Sequence, residues 1–395
     1  MSSQKSEFFP IFALAFRSLF LFGTIFSVLA ISWWTYFWLN PSDWAPYGGH
    51  IWWHSHEMLF GFGIAIVTGF LLTAVRNWTG VPGITGKPLA SLVLVWLAGR
   101  GVISFGKELP WWTILSVDVS YLLFAAIALA YPIIKVKQWR NLMFIPILLV
   151  LALLNGISHW SVASNQPETA MKVIHATIIL FTLIIAIIGG RVMPMFTANG
   201  TGCKKSNPIM WLEVTSIASI LTMITISLIG FNQVAPLLLF CVSVIATVAN
   251  AIRFSRWGIQ YTLSIPILWS LHLSYIFIPI GFTLLAFQSI GWINNLSAAL
   301  HSFTVGAIGG MILAMISRVS LGHTGRALKA HKLLCIAYTL MLIATLVRII
   351  IPIWIPSFYS LSIGIAGLLW IFAFLFFAII YAPMLLSKRV DGRPG

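Results

Sequence analysis

Twelve apolar runs follow one another along the chain, at residues 17–39, 50–75, 89–106, 111–134, 142–163, 169–195, 208–230, 234–254, 265–288, 295–318, 332–353 and 358–386. Each is long enough for a helix to cross a bilayer core of roughly 30 Å. Backbone polar groups in lipid must be satisfied within the segment, so runs of this length predict α-helices. The connections are short and punctuated by Pro, Gly or Asn, and none can hold a separate soluble domain. The pattern predicts an all-α polytopic membrane protein of about twelve transmembrane helices, a single domain over residues 1–395. The first run continues into Trp33 and Trp34 without a small-residue cleavage site, so it reads as helix 1 and not as a signal peptide.

Charge sets the orientation. With the N-terminus inside, 19 of the 23 Lys and Arg residues, from Lys5 and Arg17 to Arg389 and Arg393, fall at inner ends. Only Lys107, Lys172 and Arg348 fall at outer ends, and Arg100 lies within helix 3. By the positive-inside rule both termini are cytoplasmic. Tryptophans such as Trp33, Trp38, Trp44, Trp52, Trp53, Trp111, Trp112 and Trp160 then form an outer aromatic belt. Charged residues make up 8% of the 395 residues, too few to cover a water-facing surface. That excludes a soluble enzyme, a disordered chain and a nucleic-acid binder, despite a net charge of +15. Cys203, Cys241 and Cys335 are scattered and odd in number, so they define no disulfide framework. No Cys-x-x-Cys-His occurs, which excludes covalent c-type haem attachment.

Ionisable residues inside a membrane are costly and mark function. His54, His56, His159, His175 and His301 lie on four helices at a common outer depth of roughly 6–10 Å, from the 1.5 Å rise per residue. One metal or haem layer requires such a common depth. His50 lies at the interface, His272 toward the inner side, and His323 and His331 in a basic inner loop. A lone intramembrane histidine often does no more than bond a neighbouring helix, and that plain role competes most strongly at His159. His54 and His56 are two apart, about 200° around a helix, so they cannot share a pocket in regular geometry. Either the first turn after Pro46, Gly48 and Gly49 is unwound, or the two histidines serve different sites. Met58 shares a face with His54, and Glu57 is placed as an acceptor behind an imidazole or as a proton relay. Arg100 and Asp118 read as an ion pair across the helix 3–4 connection. Arg100 and Arg348 also sit at the level where arginines would hold haem propionates.

Helices 2, 6 and 10 share a faint pattern: an outer histidine, small residues, an arginine and Thr-Gly. The strings are His56…Arg76…Thr79-Gly80, His175…Arg191…Thr201-Gly202 and His301…Arg318…Thr324-Gly325. Their four-helix spacing suggests three four-helix units.

Local runs add a sharper signal. They include His54-Ser55-His56-Glu57-Met58-Leu59-Phe60-Gly61-Phe62, Gly69-Phe70-Leu71-Leu72-Thr73-Ala74 and Asn77-Trp78-Thr79-Gly80. Gly189-Gly190-Arg191-Val192-Met193-Pro194 follows, and then His301, Val305-Gly306-Ala307-Ile308-Gly309, Met311, Met315, Arg318 and Leu321-Gly322-His323-Thr324-Gly325-Arg326. In these stretches the chain resembles the NnrS family of bacterial inner-membrane proteins. The resemblance implies a haem- and copper-containing protein linked to nitric oxide metabolism and to resistance against nitrosative stress. The layout is also similar to the core subunit of haem–copper oxidases, by analogy of architecture only. It departs from that pattern, with one histidine on helix 10, no histidine pair on helix 7 and the His-x-His on helix 2.

Three functional classes follow. The favoured one is a b-type haem and copper protein of the bacterial inner membrane that handles nitric oxide or nitrosylated iron, supplied by an electron donor and surrounded by lipid. The others are a membrane transporter using the buried charges as a substrate path, and a metal-binding sensor without turnover. In the favoured reading His301 and His56 are the haem ligands, with Arg100 and Arg348 at the propionates. His54, His175 and His159 are left for copper, which prefers nitrogen donors, with Glu57 and Met58 supporting. Oligomeric state and catalytic residues are not legible.

Overall fold

A computed structural model describes residues 9–40 and 43–392. Lys5 and Arg393, two of the basic residues counted above, lie outside the described residues. The chain is all-helical, with no strand among the described residues, and twelve helices are long and apolar enough to cross a membrane. They are α1 (Ala15–Leu39), α2 (His50–Thr79), α3 (Gly86–Phe105), α4 (Trp111–Lys135), α5 (Trp139–Ala163) and α6 (Pro167–Thr201). The second half comprises α7 (Met210–Ile229), α8 (Pro236–Ser255), α9 (Pro266–Ser289), α10 (Leu296–His323), α11 (Lys332–Trp354) and α12 (Pro356–Leu386). Every apolar run predicted from the sequence is one of these helices.

The most buried spans are α2, α6 and α10, at 78%, 72% and 72%, whereas α3, α4, α7 and α8 stand at 39%. The three helices that carry His54, His56, His175 and His301 therefore form the centre of the bundle. The Thr-Gly pairs that end them have a common physical cause. Gly80 and Gly202 adopt left-handed conformations (φ 70° and 74°) and their N–H groups bond Arg76 O and Ala198 O, closing α2 and α6. Gly325 has φ 77° just beyond α10. Only glycine enters this region without steric cost. The faint repeat in sequence is, at its Thr-Gly end, a helix-stop device. Helix α6 outruns its expected end at 195 and continues through Pro194 to Thr201. Its 35 residues span about 52 Å, well beyond a bilayer core.

Two central helices depart from regular α geometry. A π-helical stretch replaces α-helix at Glu57–Gly63 in α2 and at Ser302–Gly309 in α10. Both begin immediately after a histidine, His56 and His301, and both are rich in glycine. Such wide turns are rare and concentrate at functional sites.

Two arginines expected as basic charges at inner helix ends are buried. Arg17 is fully buried and its Nη1 donates to Leu385 O (2.9 Å) and Ser387 O (2.6 Å), carbonyls at the end of α12. A cation at a helix C-terminus satisfies carbonyls that have no intrahelical partner. Arg253 of α8 donates to Glu213 of α7 (Nη2–Oε2 2.6 Å), to Tyr275 Oη of α9 (3.0 Å) and to Ala186 O of α6 (3.1 Å). Both contribute positive charge to the basic end while tying four or fewer helices together, because the guanidinium offers several donors at once.

Candidate functional site

Two different polar assemblies lie at the end of the bundle opposite the basic loops, separated by the thickness of α2. The first is a cavity of about 380 Å³ among α1, α2, α6, α10, α11 and α12. His54, His175 and His301 line it together with Met58 and Arg348. The walls are otherwise mostly apolar and aromatic, with Trp34, Trp38 and Trp370, and no carboxylate is present in the lining. The volume lies in the range of pockets that enclose a small organic ligand.

Each imidazole is held in place. His54 stacks on Trp34 of α1, with centroids 4.3 Å apart and an interplanar angle of 14°. His175 stacks on Phe231 at 5.7 Å. His301 bonds through Nδ1 to Ser297 O at 2.7 Å, one turn earlier in α10. The carbonyl can only accept, so Nδ1 carries the proton and Nε2 keeps its lone pair. That tautomer and backbone anchor are typical of metal-ligating histidines. Arg348 Nη2 reaches His301 Nε2 (3.2 Å) and Ser297 Oγ (3.2 Å), while Nη1 donates to Ser362 Oγ (3.3 Å). The Arg348 guanidinium also lies 5.3 Å from the centroid of the Tyr359 ring. With no carboxylate in the lining, it makes the cavity electropositive and suited to an anionic group.

The second assembly is closed. His56, Glu57, Arg100, Asp118, Asn155 and His159, from α2, α3, α4 and α5, are all buried. Arg100 Nη1 donates to Glu57 Oε1 at 2.5 Å and its Nη2 pairs with Asp118. Asp118 Oδ2 accepts from Asn155 Nδ2 (2.6 Å) and faces His159 Nε2 (3.3 Å). Asn155 donates through its nitrogen to this carboxylate, so its oxygen faces His56 Nε2, at 2.8 Å. His56 Nδ1 meets Glu57 Oε1 at 3.0 Å. Both ring nitrogens of His56 thus face acceptors, and the bonding is complete when both carry protons. Two carboxylates are then balanced by one guanidinium and one imidazolium, a neutral set suited to low dielectric. Above it, Trp52 stacks on His56 at 4.4 Å and Tyr47 donates to His159 O at 3.3 Å. Tyr47 precedes α2, and burial pushes its phenol up to about 12, so it stays a donor at neutral pH.

The geometry sorts the residues singled out from sequence. Helix α2 is regular from His50 to His56, so its first turn is not unwound and the two histidines diverge. His54 faces the cavity with His175 and His301, whereas His56 and His159 join the closed cluster. The expected haem pair, His56 with His301, is therefore divided between two places. The expected copper set is divided as well, His159 being apart from His54 and His175. Arg348 lines the cavity, and Arg100 spends its terminal nitrogens on Glu57 and Asp118 as the ion-pair reading anticipates. Met58 lines the cavity, and Glu57 belongs to the cluster.

Asn155 escaped sequence reasoning, although it stands one turn before His159 on the same face of α5. The π-helical stretches escaped it too. Their only trace is a density of glycine after each histidine, which also marks ordinary close packing.

Ligand atoms of His56, Asp118 and His159 lie within 4.8 Å of one another, close enough to hold one ion. In the present arrangement the nitrogens of His56 are committed to Glu57 and Asn155. The atoms left without a partner are Glu57 Oε2 and His159 Nδ1. The cavity, by contrast, combines imidazoles, a thioether and one cation within apolar walls. That donor set fits haem iron and copper, which favour imidazole, with thioether selecting copper(I).

A twelve-helix membrane bundle with a histidine-lined cavity in one half is the class that fold and site define. The chain matches the NnrS protein family over residues 10–389, nearly its whole length, and belongs to that family. No curated protein matches it.

Proposed function

We propose that the protein binds haem b and copper at the outer cavity and handles nitric oxide or nitrosylated iron there, protecting the cell from nitrosative stress. Membership of the NnrS family supports a nitric oxide-related role in the membrane. The observation that carries the reading is the convergence of His54, His175, His301 and Arg348 on one cavity without a carboxylate. His301, through Nε2, would hold haem together with His54 or His175, the contact of Arg348 to that nitrogen giving way to the iron. Arg348 would hold a propionate by a charge-assisted bond. The cavity imidazole not used for haem, with Met58 beside it, would hold copper, and His159 in the closed cluster would belong to a separate site. When bound, haem iron supplies an open position for a small neutral gas. The chain's own part is to anchor the imidazoles from Ser297 and Trp34, to keep the site positive and to exclude water with tryptophan walls.

The protein resides in the bacterial inner membrane in this reading, with both termini cytoplasmic, as the basic ends of the helices support. A pyridine haemochrome spectrum and metal analysis of protein purified from haem- and copper-replete cells test the assignment. Non-covalent haem b and bound copper are expected. A colourless, metal-free protein would overturn it.

A further inference from the structure

A crevice of a different kind lies at the basic end of the bundle, where the ends of α2 and α6 meet the start of α5. Arg191 of α6 stands about 24 Å beyond His175 along the helix axis, at headgroup level on the side away from the outer cavity. Its guanidinium lies 5.9 Å from the centroid of the Phe144 ring of α5, and its Nη2 donates to Met143 Sδ at 3.2 Å. Phe144 in turn stacks on Trp78 of α2, with centroids 5.5 Å apart and an interplanar angle of 14°. Gln138 Nε2 donates to Trp78 O at 3.1 Å and fixes the start of α5 against the end of α2. Arg140, in the first turn of α5, is exposed and close enough to Arg191 for the two charges to repel.

Two cations are thus held side by side against a thioether and an aromatic face. Among the described residues the carboxylates at this end are Glu213 and Asp391, and Arg253 and Arg389 occupy them. Neither Arg140 nor Arg191 meets a carboxylate or a carbonyl among the described residues. Like charges at short range raise the energy of the fold, and each guanidinium keeps donors free for an anion. Trp139, next to Arg140, is 63% exposed and sets a second indole at the same level. Such rings favour the headgroup region of a bilayer.

We propose that this crevice binds an anionic phospholipid, its phosphate bridged by Arg140 and Arg191 over the floor that Met143, Phe144 and Trp78 form. Guanidinium forks match phosphate oxygens and hold them by charge-assisted bonds. A phosphate between the two cations also relieves their repulsion. A zwitterionic headgroup brings an ammonium as well, and the crevice offers no carboxylate to receive it, so a lipid of net negative charge is favoured. The apolar floor selects lipid over free phosphate, because an inorganic anion would have to shed water against it. Basic pockets between helix ends recognise such headgroups elsewhere in membranes. The bound lipid clamps the ends of α2 and α6, two of the three central helices, to the start of α5. This site stands apart from the outer cavity and does not rest on the haem reading.

Native mass spectrometry of the full chain, delipidated in detergent and titrated with phosphatidylglycerol, phosphatidylcholine or inorganic phosphate, tests the site. Phosphatidylglycerol is expected to bind several-fold more tightly than phosphatidylcholine and to raise the melting temperature, with inorganic phosphate doing neither. Equal binding of the two lipids, or stabilisation by inorganic phosphate alone, would overturn the proposal, and this arm needs no variant. The double variant Arg140→Gln with Arg191→Gln is expected to lose the preference for phosphatidylglycerol. Lys204→Gln with Lys205→Gln removes the same charge from an exposed loop at the same end and is expected to keep it. Equal losses in both double variants would mean a diffuse positive surface and would also overturn the site. Haem absorbance on the same samples reports on the outer cavity separately, and its absence leaves the lipid result standing.

Discussion

His54 and His56 stand two residues apart on one helix and meet opposite fates. His54 faces a cavity, stacked on Trp34, beside two more imidazoles and an arginine without a carboxylate in reach of the lining. His56 faces a cluster in which Glu57 and Asn155 occupy both its nitrogens and Arg100 pairs with both carboxylates. The difference lies in what surrounds each ring. Residue type and depth are the same. An imidazole serves a cofactor when it keeps a lone pair and has room in front of it, and it serves the fold when its bonds are already closed. The cavity is thus the half of the layer with room for a ligand, and the cluster the half whose bonds are mostly closed.

The largest expected effect breaks that contrast directly. His301→Ala is expected to abolish haem absorbance while the protein stays folded, because the cavity loses an anchored ligand while Arg348 keeps Ser297 and Ser362 as partners. His159→Ala, in the cluster, is expected to keep the haem band. Absorption spectra of the two purified variants decide it, and the reverse pattern would exchange the roles of cavity and cluster.

Next in size is the loss of one cluster charge. Arg100→Leu leaves Glu57 and Asp118 buried without their guanidinium, a change that costs about 3–5 kcal/mol when one partner of a buried pair is removed. A large drop in the detergent melting temperature is expected, with little folded protein recovered. Arg348→Leu serves as the contrast, since no carboxylate in the cavity lining would be left unpaired. Equal losses in both would mean that the cavity arginine is as structural as the other.

A smaller effect probes how the two assemblies are kept apart. A Cβ at Gly61 would meet Phe26 at 2.6 Å and Arg100 Nη1 at 3.0 Å. Gly61→Ala therefore pushes on the Arg100 side chain, with an overpacking cost of about 1–3 kcal/mol. Thermal unfolding should show it, and a wild-type midpoint would mean that Arg100 has slack. The smallest effect concerns the helix stops. Gly80→Ala forces a side chain into a left-handed conformation at about 1 kcal/mol, with no change expected in haem content. A change in haem content there would tie the end of α2 to the cavity.

Much of this was legible in the chain itself. The count and placement of twelve helices follow from length and hydropathy, because lipid leaves the backbone no other way to satisfy its polar groups. The common depth of five histidines follows from the rise per residue alone. The divergence of His54 from His56 follows from the angle per residue, once the helix is known to be regular. The Arg100–Asp118 pair was also within reach, since one short connection joins the helices that carry it.

Tertiary packing decided the partners. Periodicity gives the direction of a side chain on its own helix, but which helix stands opposite depends on the sum of many weak contacts among apolar surfaces that look alike in sequence. His56 was therefore expected beside His301, and it lies beside Asn155, whose amide carries no sequence signature. Arg17 and Arg253 were expected as basic charges at inner helix ends, and packing buries them on carbonyls, a carboxylate and a phenol brought from distant helices. The π-helical turns after His56 and His301 were likewise decided by packing, because an extra residue in a turn is stable only where neighbouring helices accept its bulge.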